Sequence, residues 1–251
     1  MIEVKDISRS YGEKIILDEV SVSLPKGKVT SLIGSNGAGK STLLSIISRL
    51  LKQNGGTVLL DSRDIDDYKT RILAQHLSIL KQANPLDLKL TVRELVSFGR
   101  FPYSQGRLTP VDEEHVDRAI RYLNLQDIAG QYMDELSGGQ KQRAFLAMVV
   151  AQDTDYILLD EPLNNLDMKH AVQIMKTLRK LCDEKGKTIV MVIHDINFAS
   201  QYSDFIVALK DSRVAFFDTA ERVIVPEVLQ KVFDMEFKIV ETEGKKICNY
   251  Y

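Results

Sequence analysis

The sequence predicts an α/β fold interrupted by a helical segment, and three observations carry that reading. Short apolar runs within "KGKVTSLIG", "YILLDEP" and "KTIVMVIHD" have the length and composition of buried strands, and a helical pattern follows each. Between the first run and the other two, roughly residues 86–152, the periodicity becomes helical. Ahead of all three, "MIEVKDIS" and "IILDEVSVSL" flank a "YGEK" turn and read as an antiparallel β-rich start over residues 1–33.

The elements follow in order. The strand in "KGKVTSLIG" runs into a glycine loop and then a helix. Leu43, Leu44, Ile47, Leu50 and Leu51 lie on one face of that helix, and "NGG" at Asn54–Gly56 stops it. "TVLLDSRDI" is a strand and turn, and "LSILKQ", Leu77–Gln82, is a short strand that "ANP" breaks. From Thr91 helices are expected: "TVRELVSFG", then a loop "RFPYSQGRLTP". The next helix has Thr109 as N-cap, Pro110 at its first position and Asp112 and Glu113 in its first turn. "YILLDEP" is the next strand. Met168–Lys185 is a helix ended by Gly186, "KTIVMVIHD" a strand and "INFASQYS" a helix. "DFIVALK" and "RVAFFD" form a hairpin, and a helix around "PEVLQKVF" closes the chain. This divides one domain, 1–251, into a first core part with its β subdomain (1–85), a helical part (86–152) and a second core part (153–251).

Composition excludes several classes. The 251 residues are 44% hydrophobic and 27% charged, ordinary for a globular chain able to bury a large core without disulfides. Thirty-three basic residues oppose thirty-five acidic ones, for a net charge of −2, so the basic excess of a nucleic-acid binder is missing and no nucleic-acid partner is expected. Cys182 and Cys248 match no metal spacing and read as reduced thiols of a cytosolic protein. The polar opening "MIEVKDISRSYGEK" lacks the apolar core of a signal peptide. The longest apolar run, Ala144–Ala151, is far short of the roughly 20 residues that span a bilayer. Any membrane role would therefore act through a partner.

Five stretches carry chemistry. Gly34-x-x-x-x-Gly39-Lys40-Ser41 is a P-loop in its required context, after a strand and opening a helix. Its residues Gly34, Ser35, Asn36, Gly37, Ala38 and Gly39 can wrap an anion, and the amides of Gly37–Thr42 can point at phosphate oxygens. Lys40 can reach the β- and γ-phosphates, and the Ser41 hydroxyl suits Mg²⁺. In "YILLDEP", Asp160 and Glu161 appear at the end of a buried strand, where ligands of parallel sheets bind. Asp160 suits Mg²⁺, directly or through water, and Glu161 suits polarisation of an attacking water. His194, at the end of "TIVMVI", can hydrogen-bond a γ-phosphate oxygen. The amide oxygen of Gln82, ending "LSILKQ", can ligate Mg²⁺ or hold the water.

The fifth stretch is "LSGGQ", Leu136–Gln140, a serine and two glycines at a helix start, hence a second anion cradle. It stands between the P-loop and the "DEP" strand and is followed by "KQR". This ordered set, over nearly the whole chain, resembles the nucleotide-binding subunits of ATP-binding-cassette (ABC) transporters. The resemblance implies a P-loop NTPase core with an antiparallel β subdomain and an inserted helical subdomain. It also implies two copies packed head to tail with two ATPs between them. Ser137, Gly138, Gly139 and Gln140 of one copy would then cap the γ-phosphate held by Gly34–Thr42 of the other, which explains two cradles in one chain. Tyr11 corresponds to the aromatic that stacks on adenine, though a hairpin aromatic would also suit the site. "NNLD", Asn164–Asp167, matches the loop that crosses the dimer interface, and Asp167 can also cap the following helix. Gln82 matches the loop that reports to the membrane subunits, and His194 the switch histidine. Ser35 stands where many relatives have proline, and "DSRD" and "KDSR" lack a turn glycine; none of these departures touches the chemistry.

The resemblance extends to a role. An insert of about 65 residues without sustained heptads is unlike the coiled-coil ATPases of DNA repair. A single head is unlike the fused pairs of translation factors. "SFGRFPYSQGRLTPVDEEHVDRAIRYLNLQDIA" looks like the importers of iron-siderophores, haem and vitamin B12. Together with "LDEPLNNLDMKHA" it looks most like subunits serving ferric siderophores, possible catecholate types included. Haem and vitamin B12 are the alternative cargoes. The expected cofactors are ATP and Mg²⁺. The expected partners are a second ATPase subunit, two integral-membrane permease subunits and, through them, an extracytoplasmic binding protein. The expected location is peripheral, on the cytoplasmic face of the inner membrane.

Overall fold

The computed structural model describes residues 1–250 apart from 83–88, 165 and 243. In chain order the elements are β1 (Ile2–Tyr11), β2 (Lys14–Leu24), β3 (Val29–Ile33), α1 (Lys40–Ile47), β4 (Gly55–Leu60), β5 (Arg63–Asp64), α2 (Thr70–His76), β6 (Leu77–Leu80), α3 (Val92–Phe98), α4 (Phe101–Ser104), α5 (Pro110–Tyr122), α6 (Gly138–Ala151), β7 (Tyr156–Asp160), α7 (Met168–Lys185), β8 (Thr188–Val192), α8 (Ile196–Tyr202), β9 (Phe205–Lys210), β10 (Arg213–Thr219), α9 (Ala220–Val223), α10 (Pro226–Phe233), β11 (Lys238–Thr242) and β12 (Lys245–Asn249). They fall into two compact units, residues 1–68 with 188–251, and residues 69–187.

The first unit holds two main strand layers. An antiparallel sheet runs in the order β2-β1-β4-β5, the expected β subdomain. The other layer contains the order β10-β9-β3-β8, with β3 parallel to both β8 and β9 and β10 returning antiparallel on β9. Every residue of β3 and β8 is buried, as expected of parallel strands covered on both faces. Helix α1 buries Leu43, Leu44, Ile46 and Ile47.

Two expectations for this unit need correction. Helix α1 ends at Ile47 rather than running to "NGG". Arg49 turns left-handed (φ 58°), and its guanidinium donates to the carbonyls of Ile65 (2.9 Å) and Tyr68 (2.6 Å), which pulls the chain out of the helix; Leu50 is exposed. The chain also does not close on α10. An antiparallel hairpin, β11–β12, follows it. Its sequence is charged and mostly exposed, so the burial alternation that marks a strand is weak. Side chains of α8 hold it instead: Asn197 exchanges two hydrogen bonds with the backbone of Cys248 (2.7 and 3.2 Å), and Ser200 and Gln201 donate to Lys246 O.

In the second unit β6 and β7 pair in parallel, and all five residues of β7 are buried. Helices α3, α5 and α6 pack on one another through Val92, Leu95, Val96, Val116, Ile120, Phe145 and Leu146. The helices expected between 86 and 152 all lie here, alongside α2, β6, β7 and α7. The expected boundary at 85–86 and the "ANP" break at 83–85 lie outside the described residues. Two short helices were not expected: α2, and α4 within "RFPYSQGR", where Pro102 occupies the first turn. Helix α5 starts as expected, with Thr109 and Asp112 forming a reciprocal capping box.

A buried ion pair organises this unit. Arg100 and Asp112 are each about 5% exposed and bond at 2.9 Å. Arg100 also donates to Ala151 O and Gln152 O at the end of α6, and its guanidinium stacks 4.0 Å from the Tyr103 ring centre. Burial works against ionisation of Asp112, but hydrogen bonds from Thr109 and the Arg100 guanidinium outweigh it and hold its pKa below the ordinary carboxylate value. The stability this supplies is therefore present above the unfolded pKa of about 3.9 and lost as pH falls through the lower folded value. Replacing Arg100 with Met leaves Asp112 buried and unpaired, so we expect unfolding free energy to fall by about 3 kcal/mol. Urea denaturation at neutral pH measures this, and an unchanged midpoint would refute the pair's role.

Candidate nucleotide site

The P-loop conformation follows from its glycines. Gly34 leaves β3 with φ 140°, and a Cβ there would lie 2.2 Å from Leu209 O. Gly39, with φ 96°, caps α1 without any side-chain bond, so the first turn of α1 presents backbone N–H groups at the positive end of the helix dipole. Ser35, Asn36 and Gly37 are exposed at the crest of the loop, Ala38 and Gly39 are buried beneath it, and Ser41 and Thr42 are half-buried in the first turn. Lys40 is only 5% exposed, and its Nζ donates to Gly34 O (2.7 Å) and Ser35 O (2.9 Å), so the ammonium is folded into the loop that it serves.

Two more expected residues lie in this unit. His194 is exposed beyond the end of β8, and its neighbour Asp195 caps α8 by accepting from Asn197 N (2.8 Å) and Phe198 N (3.1 Å). Tyr11 ends β1 and is 53% exposed, with the Arg9 guanidinium 4.6 Å from its ring centre. An exposed aromatic already stacked on a cation is a face that can also take a flat base.

The second unit presents the acidic residues and the second cradle. Asp160 is the last residue of β7 and is buried. Glu161 follows with φ 51°, a left-handed conformation that is uncommon for a side-chain-bearing residue and more so before proline. Its Oε2 accepts from Gln82 Nε2 (2.7 Å) and from the amide of Asn164. The structure thus brings Gln82 to Glu161 directly. Sequence reasoning placed Asn164 in the interface loop but did not foresee its bond to Glu161; its position three residues after the carboxylate is the available signal.

Helix α6 begins with the cradle. Ser137 is its N-cap, and Ser137 and Gln140 bond reciprocally: Gln140 N donates to Ser137 Oγ (3.3 Å) and Ser137 N to Gln140 Oε1 (2.9 Å). The Ser137 hydroxyl accepts one bond and keeps its own proton to donate. Gly138 and Gly139 add backbone N–H groups without side chains to screen them. Gln142, which sequence reasoning did not single out, donates to Pro162 O at 3.1 Å. Asp167 caps α7 through His170 N (2.9 Å) and contacts the His170 ring, and these bonds lower its pKa. Asn165 lies outside the described residues. Among the described residues, no helix is long and apolar enough to cross a membrane.

The family described as ABC transporter matches residues 17–164, a span that takes in the P-loop, the second cradle and Glu161. The chain belongs to the ABC transporter family. It is 56% identical over 251 residues, all of both chains, to the petrobactin import ATP-binding protein YclP of Bacillus subtilis (strain 168). It is 44% identical, over 98% of this chain and 91% of the relative, to the probable siderophore transport system ATP-binding protein YusV of the same organism. A solved structure described as a dimeric post-hydrolysis state of the ATP-binding cassette MJ0796 bound to ADP and Pi matches with a TM-score of 0.79 at 33% identity, covering 88% of this chain and 99% of that one. As a member of the ABC family, the chain is an ATPase, and the P-loop NTPase core with its β and helical parts is the family's fold.

The loop geometry separates two glycines by expected effect. Gly34→Ala drives a methyl into Leu209 O and should weaken nucleotide binding more than tenfold. Gly37→Ala has open space around the added Cβ and meets only the strain of φ 83°, of order 1–2 kcal/mol, so it should bind within about tenfold of the parent. Titration with a fluorescent ATP analogue compares the two, and equal losses would contradict the steric origin.

Proposed function

We propose that this ABC ATPase is the motor of an importer for an iron-siderophore, with petrobactin the first cargo to test and catecholate chelates the wider class. The observation that carries the cargo class is the 56% identity, end to end, with a relative named for petrobactin import. Two copies of the chain sandwich two ATPs and drive two separate permease subunits from the cytoplasmic face of the membrane. An extracytoplasmic binding protein delivers cargo to the permease.

The residues act as follows. Gly34–Thr42 wrap the phosphates, Lys40 neutralises β- and γ-oxygens, and Tyr11 stacks on the base. Ser137, Gly138 and Gly139 of the partner copy, with Gln140 bracing Ser137, cap the γ-phosphate. Glu161 polarises the attacking water, a role that contributes roughly 10²–10⁴-fold. His194 donates to a γ-phosphate oxygen, and Asp167 orders the loop that faces the partner copy. The Ser41 hydroxyl, the Asp160 carboxylate and the Gln82 amide are each hard oxygen donors of the kind that Mg²⁺ takes. When bound, that ion neutralises charge on the phosphates. The buried position of Asp160 at a strand end, rather than on a solvated face, supports its place in that set.

Lys40→Ala should abolish ATP hydrolysis, and Glu161→Gln should bind ATP and stall as a dimer, visible by size-exclusion chromatography with ATP. Radioactive iron supplied as its petrobactin chelate should enter cells carrying the intact protein and not cells carrying Lys40→Ala, in a strain lacking other siderophore ATPases. Equal uptake in both would sink the cargo assignment. Uptake of haem or vitamin B12 that depends on Lys40 would replace it.

A further inference from the structure

We infer that Gln142 is a positioning residue that ties the aim of Glu161 to the helix bearing the second cradle. The inference rests on the reading of Glu161 as the catalytic carboxylate and of Ser137–Gly139 as the cap on the partner's nucleotide.

The turn at Glu161 needs outside support. Glu161 is left-handed at φ 51°, and Pro162 follows it. Pro162 has no N–H with which to anchor the turn, and its ring disfavours helical conformations in the residue before it. A backbone held in such a region persists when its surroundings over-determine it. Gln82 and Asn164 hold the Glu161 carboxylate, and the carbonyls of the turn are held as well. Glu161 O accepts from Asn164 N (3.3 Å), and Pro162 O accepts from the Gln142 side chain (3.1 Å). The Gln142 bond is a long-range tie, spanning 20 residues of sequence, and it is part-buried, which shelters it from competing water.

The other end of the tie is the cradle itself. Gln142 lies in the second turn of α6, directly after the first turn that Ser137 and Gln140 lock by mutual capping. A helix turn is stiff, so a shift of the first turn on taking up or releasing a phosphate moves Gln142 with it. The bond passes that shift to Pro162 O, one residue from Glu161. In a head-to-tail pair, the cradle of a chain meets one nucleotide and its Glu161 the other. Gln142 therefore makes hydrolysis at one site sensitive to occupancy of the other.

The test uses the full-length chain and steady-state ATP hydrolysis as a function of ATP concentration. Gln142→Met keeps side-chain length but removes the donor, Gln142→Asn keeps polarity but falls short of the carbonyl, and Gln142→Lys restores a donor. Met and Asn should each lower kcat about tenfold with KM within twofold, and any cooperativity in ATP should weaken. Lys should recover most of kcat. In a Glu161→Gln background, Gln142→Met should still form the ATP-dependent dimer. Wild-type kcat in both Met and Asn would overturn the inference. So would a loss that Lys fails to restore, or one accompanied by loss of the dimer. Rapid hydrolysis by Glu161→Gln alone would instead remove Glu161 from its role, and the coupling with it, which separates failure of the underlying reading from failure of the inference.

Discussion

A strand covered on both faces offers no water to a charged side chain along its length, and this constraint governs where charge can appear on the buried strands. Strands β3, β7 and β8 are buried at every position. Along their length the polar groups are neutral hydroxyls: Ser31, whose Oγ bonds Ser203 Oγ at 2.7 Å, Thr30, Thr188 and the phenol of Tyr156 at the start of β7. Charge appears only at the exits: Asp160 as the last residue of β7, Glu161 just beyond it, His194 just beyond β8, and the P-loop beyond β3. Two of these exits turn through a positive φ. Gly34 manages this by lacking a Cβ. Glu161 makes its turn at φ 51°, with Gln142 bonded to Pro162 O and Asn164 to its carboxylate.

The two helix starts solve different problems with the same backbone groups. Helix α1 begins at a left-handed glycine with no side-chain cap, so its first turn is completed by whatever anion the loop wraps. Helix α6 begins at Ser137 and is capped by its own residues, so its geometry is fixed before any ligand arrives. One helix start leaves its N–H groups without a side-chain cap, and the other is capped by Ser137 and Gln140.

Much of this was readable from the residues. The buried strands declare themselves by apolar runs, and α5 by its Thr109-Pro110 start, because those signals are local. The P-loop and the second cradle are equally local. The failures came where tertiary contacts decide. Leu50 and Leu51 continue the period of α1, but the Arg49 side chain finds carbonyls at Ile65 and Tyr68 that no periodicity reveals. The β11–β12 hairpin is charged on both faces and depends on Asn197, fifty-one residues from its partner Cys248. The bonds of Gln142 and Asn164 are hidden for the same reason: a glutamine or asparagine gives no sign in sequence of which carbonyl or carboxylate it will meet.

The cysteines have a practical consequence. Cys182 and Cys248 are both unpaired by disulfide and buried, and burial pushes the Cys248 thiol up to about 11. At neutral pH Cys248 is almost wholly protonated, and the thiolate is the reactive species. A cysteine engineered onto an exposed position would therefore outcompete it for maleimide or spin-label reagents. With both cysteines buried, distance probes could be attached at an added surface cysteine without first rebuilding the core.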